Sequence, residues 1–439
     1  MQGLIVSILD GKPSELDSHS VWNNIWKRTF RKGRLQTTTM DFAYLSRGKL
    51  YIKRGDAPPE LLDSKFGEGV RQRAKEIQRR HAWKTEGRGA QFMGGAAAWG
   101  TQSRDPGELP IAVNGLSPGC QEGQLLYTLN TPDISGIFVL REGDYFEQRI
   151  FHSADHRVAQ VCALPGQDQI AFVLRQRDGG ASLAMMTAEG KEFTEITQGD
   201  SIDEFPHWVP GRPGTLVFQS AGIGRDARGI FAARGPCCVQ QIDVTSGEMK
   251  CLAENEKFDF LAPQIASDGA LYYIRRPYEP PRAHASPWQM LLDMVLFPFR
   301  LVNALFEYLN FFSMTYSGKP LKTSGNARAK EMDMRRLMLM GNYVNALEIM
   351  KHSADQETPA LVPSNWELVR SASRGAGPAE VLAKGVLSFD LEEDGSVLYS
   401  NGSAIFRVDG SRKPALVLKS DLIEHVIAAR LVAPPAQAR

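Results

Sequence analysis

Two histidines four residues apart, His152 and His156, flank Asp155. On a helix that spacing would turn both imidazoles to one side and suit a divalent metal. They precede a strand-like run and no matching pair follows downstream, so an ordinary connecting loop is the preferred reading. Cys237 and Cys238 adjoin, with Cys251 nearby, but a structural zinc site needs two separated pairs. They read as small buried residues at strand edges. Gly222-Ile223-Gly224-Arg225-Asp226 has two close glycines but lacks the Lys-Ser/Thr end of a phosphate-binding loop, and it reads as a loop between strands. No attached hydrolase domain and no Gly-x-Ser-x-Gly nucleophile elbow are read from the chain. Neither metal nor cofactor is expected, and no active site.

Charge is the stronger signal. Over 439 residues the chain is nearly neutral at +1, yet its first hundred residues carry 18 Lys+Arg against 10 Asp+Glu. One cluster is Lys27, Arg28, Arg31, Lys32 and Arg34, interleaved with Trp22, Trp26 and Phe30. The other is Arg71, Arg73, Lys75, Arg79, Arg80 and Lys84, on a predicted helix. Such patches grip nucleic acid or anionic lipid through counterion release, and they also dock acidic proteins or simply face solvent. Solvation or protein docking is preferred, and nucleic acid through Arg71, Arg73, Lys75, Arg79 and Arg80 is the alternative. The Gly/Ala-rich run 87–100 reads as a loop.

The longest apolar stretch runs from Trp288 to Met314, with Asp293, Arg300 and Glu307 spaced by seven. That spacing puts a narrow polar stripe on an amphipathic helix, kinked at Pro298. Three charges argue against a membrane span, and a nearly neutral polar face makes a membrane-surface helix the last choice. A second helix is predicted over Glu331–Lys351 from its apolar spacing. Together they make a helical hairpin. If exposed, its apolar face needs a cover, so Trp288, Phe297, Phe299, Leu305, Phe306 and Phe312 are candidate residues for a protein partner or self-association through 285–352.

What positions all this is a repeat. Tyr127, Phe172 and Phe218 lie 45 and 46 residues apart, and Tyr273 follows 55 later. Each sits in an alternating strand preceded by a Pro or Gly/Asp turn. A period of this size, with four short strands per unit, is that of a β-propeller. Gly 40 and Pro 25 supply the turns. The chain is therefore predicted to be all-β: a six-bladed β-propeller by count, with seven as the alternative, and an inserted α-helical hairpin. The 126 residues from Tyr273 to Tyr399 contain that insertion.

The predicted boundaries are 1–65 for strands of blade one and 66–110 for the basic helix and Gly-rich loop. Blades two to five take 111–281, the helical insertion 282–362, and the remaining strands 363–439. His425 to Leu431 would close the first blade and remove open edges. Five Cys in odd number suit reduced thiols, and Leu4–Leu9, which lacks a preceding charge, reads as a strand rather than a secretory signal. A cytoplasmic location is expected.

The turn and strand of the best copy, Pro206, Trp208, Pro210, Phe218 and Ser220, with Asp268-Gly269 and Asp394-Gly395 in neighbouring units, resemble the TolB-like propellers. That bacterial group of repeats is also found ahead of the catalytic domain of prolyl oligopeptidases. Val209 and Gly211-Arg212-Pro213-Gly214 depart from its pattern. The resemblance covers about 110–280 and 363–431, and implies a propeller that serves as a binding platform. A lactonase-like channel metal would need inward Asp, Glu, Asn or His in several blades, and no such set is read. The function expected is a non-catalytic, protein-binding scaffold of a bacterial multi-protein system.

Overall fold

The computed structural model describes residues 41–85, 111–141, 146–279, 337–339, 342–344, 358–372, 379–410 and 412–428. Among them the chain is all-β apart from one helix. A first sheet holds β1 (Asp41–Ser46), β2 (Lys49–Arg54) and β3 (Glu60–Leu62), with β27 (Ile423–Ala428) on the far side of β1. Arg47 and Gly48 make the β1–β2 turn with φ of 52° and 69°, the two positive values that a two-residue hairpin twist demands. β27 pairs antiparallel with β1 from Phe42↔Ala428 to Ser46↔Ile423, so the two ends of the described chain share one sheet. Helix α1 (Lys65–Thr85) follows.

The second sheet is β4 (Ala112–Pro118), β5 (Gln124–Asn130), β6 (Ser135–Arg141) and β7 (Phe146–Ser153). Next come β8 (Arg157–Ala163), β9 (Ile170–Arg175), β10 (Ala181–Met186) and the short β11 (Thr194–Glu195). β12 (Ser201–Trp208), β13 (Thr215–Arg225), β15 (Cys238–Asp243) and β16 (Met249–Ala253) continue it, with β14 (Phe231–Arg234) on the extended end of β13. One parallel pair, Ala181↔Ile202, is all that joins these last two groups into one sheet. The next sheet is β17 (Phe258–Ile265), β18 (Leu271–Pro277), β21 (Glu367–Ser371) and β22 (Ala379–Lys384). The last is β23 (Ser388–Leu391), β24 (Val397–Ser400), β25 (Ala404–Val408) and β26 (Pro414–Lys419). Each sheet is open at its edges.

The repeat spacing lies in these second strands. Tyr127, Phe172, Phe218, Tyr273 and Tyr399 occupy β5, β9, β13, β18 and β24, and Tyr44 takes the same place in β1. All are buried. Burying such a side chain is worth about 1.5–3 kcal/mol, but a single twisted sheet has nothing to bury it against. Consecutive sheets supply the missing face. Leu126, Ile137 and Val139 pack with Val158, Val161 and Phe172, and Ala171, Val173 and Leu183 pack with Trp208, Leu216 and Phe218.

The turns repeat as well. Asp268 and Asp394 each accept the backbone N–H two residues on, at 2.8 Å, while Gly269 and Gly395 take φ of 82° and 83°. An arginine of the third strand then clamps each aspartate: Arg370 at 2.8 Å and Arg407 at 2.7 Å. The first strands carry bulges at matching places. Phe205 and Ala262 adopt positive φ there, each followed by a proline, which loses nothing where the ladder is interrupted.

Two expectations need correction. Leu337–Leu339 (β19) and Asn342–Val344 (β20) pair as an antiparallel hairpin, where a helix over Glu331–Lys351 was predicted. Gly341 between them costs about 1 kcal/mol in a helix interior, and Tyr343 and Val344 favour strands. Gly222 to Arg225 belong to β13, Gly222 opposite Ser201 of β12 and Ile223 to Arg225 paired with β14, rather than forming a loop. The first predicted helix, with Trp288, Phe297, Phe299, Leu305, Phe306 and Phe312, lies outside the described residues, as do Leu4–Leu9 and the cluster from Lys27 to Arg34.

Candidate functional site

The first strands of the sheets neighbour one another in succession: β27 beside β4, then β8, β12, β17 and β23, which lies beside β27 again. Where they converge, a cavity of about 810 Å³ opens at one end. Its wall takes side chains from β27, β4, β8 and β12 and from the loops after β5, β7 and β9. The wall thus brings together residues far apart in sequence, from Leu45 of β1 to His425 of β27.

The lining mixes apolar groups with charges of both signs. Arg157 donates to the carbonyls of Thr131 and Pro132 and so fixes the loop after β5. Arg175 forks onto Glu204, with Nε at 3.0 Å and Nη2 at 2.6 Å. Asp133, Asp155 and Arg177 reach the same cavity, and none of them forms an ion pair among the described residues. The buried Gln160 Oε1 has no hydrogen-bond partner among the described residues. Glu424 accepts from the Gly48 N–H at 3.0 Å, and burial raises its carboxyl above the ordinary range.

His425 stands deeper. Its Nδ1 lies 3.1 Å from Ser388 Oγ and its Nε2 lies 3.3 Å from the Leu116 carbonyl. A carbonyl can only accept, which puts the proton on Nε2 and leaves Nδ1 to take the serine hydroxyl hydrogen. Burial holds His425 down to about 4, and His207 as well, where the nearby His425 adds repulsion. A serine beside a histidine invites a nucleophilic reading. Here Ser388 is buried and its Oγ also lies 3.3 Å from the Val426 N–H, so the pair braces β27 against β23.

One motif escaped the sequence reading. Gly115-Leu116-Ser117-Pro118-Gly119 has the Gly-x-Ser-x-Gly spacing. An elbow nucleophile stands exposed on a strand-to-helix turn, whereas Ser117 is buried in β4, donates to the Pro118 carbonyl and accepts from the Ala163 N–H. It ties two sheets together.

The histidines four apart do not share a helix face. His152 lies in β7 one residue before its end, and Ser153 Oγ accepts from the Asp155 and His156 N–H groups in a tight turn. Cys237 is buried, Cys238 half-buried and Cys251 exposed, and burial pushes the Cys237 thiol up to about 12. Among the described residues no three His, Cys, Asp or Glu side chains gather as a metal site, and no helix is long and apolar enough to cross a membrane. Trp208 is a wedge between sheets, its indole N–H on the Cys162 carbonyl at 3.2 Å.

Arg71, Arg73, Lys75, Arg79 and Arg80 all lie on α1. The helix starts at a built cap. Ser64 Oγ accepts the Gly67 N–H at 3.1 Å, the favoured partner for an orphan donor. Glu147 of β7 takes the N–H groups of Lys65 at 2.6 Å and Phe66 at 3.3 Å. It also accepts the hydroxyls of Ser64 and Tyr127, and burial with this carboxylate raises the Tyr127 phenol. Glu147→Gln removes a negative charge from the positive end of the helix, an expected cost of about 1 kcal/mol. Hydrogen exchange should show the Lys65 and Phe66 amides opening faster, and unchanged protection would mean the cap does not hold the helix.

No family model matches the chain, and no curated protein does. Among solved structures the chain is similar to one described as a nidogen/laminin complex, at 7% identity and TM-score 0.49, over 90% of this chain and 100% of that one. It is similar to TolB from Acinetobacter baumannii at 11% identity and TM-score 0.46, over 94% and 71%. A TolB structure from Agrobacterium tumefaciens gives 11% and 0.39, over 72% and 83%. Two of these three are TolB structures. At such identities and scores the likeness carries nothing about activity, and the all-β architecture rests on the strand pairings themselves.

Proposed function

We propose that the chain is a six-bladed TolB-like propeller acting as a non-catalytic scaffold that binds a protein partner at the mouth of its central cavity. The observation that carries this is the cavity wall itself. Asp133, Asp155 and Arg177 are held there by three different loops, after β5, β7 and β9, with no ion pair among the described residues. Charges of both signs with unspent hydrogen-bonding capacity suit a polar polypeptide segment, and complementarity of this kind sets partner choice more than raw affinity. The segment 285–352 is a second docking element in this reading, with Phe299 and Phe306 on its apolar face. A cytoplasmic location belongs to the same proposal.

The test is affinity capture with the intact chain beside D133K/D155K/R177E. These exposed substitutions leave the sheets untouched, so thermal unfolding should not move. Loss of one co-purifying protein from the triple variant supports the reading. Identical captured proteins from both would sink it.

A further inference from the structure

Beyond the reading above, and on a different surface, helix α1 is unlike the rest of the chain. Ser64 to Gly67 moor its first turn: Glu147 caps it, and the Phe66 ring lies 5.2 Å from Phe138 and 5.3 Å from the Arg149 guanidinium. Past that turn the helix runs on to Thr85 with Arg73, Lys75, Arg79 and Arg80 exposed and Arg71 half-buried. Among the described residues none of these five has a carboxylate partner; Arg73 Nε reaches only the Gly69 carbonyl of its own helix, at 3.2 Å.

Their spacing sharpens the point. Arg71, Lys75 and Arg79 stand four apart and form one row along the helix, with about 6 Å of rise between neighbours. Arg73 and Arg80, seven apart, flank the other side. Between residues 71 and 80 the only acid is Glu76. Like charges at that spacing destabilise an isolated helix, so the arrangement opposes its own folding until an anion neutralises it. Ile77, 56% exposed, is the only large apolar side chain between 71 and 80, too little greasy surface for a helix that lies in a membrane. No aromatic residue lies in that span either, so the basic row itself offers no stacking platform of the kind single strands require.

We infer that α1 binds the phosphate backbone of a nucleic-acid duplex, with the row Arg71, Lys75 and Arg79 as the main contact and Arg73 and Arg80 supporting it. A duplex offers one negative charge per roughly 1.7 Å of axis, so a row of cations 6 Å apart meets phosphate in any sequence. Binding is therefore independent of base sequence, because phosphate contacts carry no sequence information.

The experiment is fluorescence anisotropy of the full chain with a labelled DNA duplex over a salt series, beside R71Q/K75Q/R79Q. Glutamine keeps helix propensity, and circular dichroism checks that the variant folds as the parent does. Five contacts give a slope of log K against log salt of about −4.5, and two leave about −1.8. The triple variant should bind roughly 500-fold more weakly at 0.1 M salt. No binding by the parent chain, or equal binding by the folded variant, overturns the assignment. So does binding confined to a single strand, to polyglutamate or to anionic phospholipid vesicles, each run as a separate arm.

Discussion

Replacing Asp259 by alanine should lower the stability of the protein by about 3–5 kcal/mol. Asp259 and Arg276 stand directly opposite on β17 and β18 and are 1% and 4% exposed. The guanidinium reaches the carboxylate with Nε at 2.9 Å and Nη2 at 2.8 Å. Arg234 of β14 adds a contact at 3.1 Å and the Cys237 N–H another at 2.8 Å. The Arg276 guanidinium also lies over the Trp366 ring, 4.8 Å from its centre. Even beside its partner, burial pulls Arg276 below the usual arginine value, which shows how poorly the site would tolerate that cation alone. The alanine variant leaves a buried, unpaired charge at the junction of two sheets. Denaturant unfolding measures the loss. Asp259→Leu combined with Arg276→Met should recover part of it, since well-packed apolar residues often replace a buried pair at little cost, while Arg234 and the Cys237 N–H still lose their acceptor. A single-variant loss below about 1 kcal/mol would show that the Trp366 ring suffices to hold the cation.

Asp390→Asn should stabilise the protein at pH 8 and leave it nearly unchanged at pH 4. Asp390 is buried on β23, where burial raises its carboxyl to about 7 even though the N–H groups of Ala428 and Leu391 oppose the shift. The folded state therefore holds this proton more tightly than the unfolded chain does. Its contribution is fully present below the unfolded value near 4 and is lost as pH rises through 7. Three units correspond to up to ~4 kcal/mol. Asparagine keeps an acceptor for the Ala428 N–H, which lies 2.8 Å from Asp390 Oδ2, without the ionisation. His207 and His425 act in the opposite sense. Held down to about 4, they contribute stability that is complete above 6.5 and lost as pH falls toward 4. Thermal unfolding across pH 4–8 separates the two limbs: the variant should keep the acid limb and lose the alkaline one. A variant profile that still declines between pH 5 and 7 would place that titration elsewhere.

Asp390 lies at the seam where β27 returns to β23. Much of the contact there is hydrogen bonding: Ser388 with His425, Ser400 Oγ with the Ile423 carbonyl at 3.0 Å, and Asp390 with the Ala428 N–H. Between other consecutive sheets the contact is a broad apolar core. The sheet that holds both ends of the described chain thus meets the β23–β26 sheet partly through groups whose strength depends on protonation.

Much of this fold is legible in the sequence because it is written in local chemistry. The aromatics Tyr127, Phe172, Phe218 and Tyr273 mark second strands because only a residue facing a neighbouring sheet can be so large and apolar within a short alternating run. Asp268-Gly269 and Asp394-Gly395 announce turns because glycine takes positive φ freely and aspartate bonds the amide two residues on. The basic residues of α1 are visible for the same reason, since a helix face is set by spacing alone. Only the tertiary structure decides the rest. Nothing local says that Asp259 meets Arg276 across a register, that Glu147 caps a helix 82 residues earlier, or that Ser117 is buried while sitting in a nucleophile-like motif. The cavity that joins Asp133, Asp155, Arg177 and His425 is invisible for the same reason. Its members come from three loops and from β27, spread over more than one sheet, and their meeting is fixed by how those sheets stack, which depends on every strand at once.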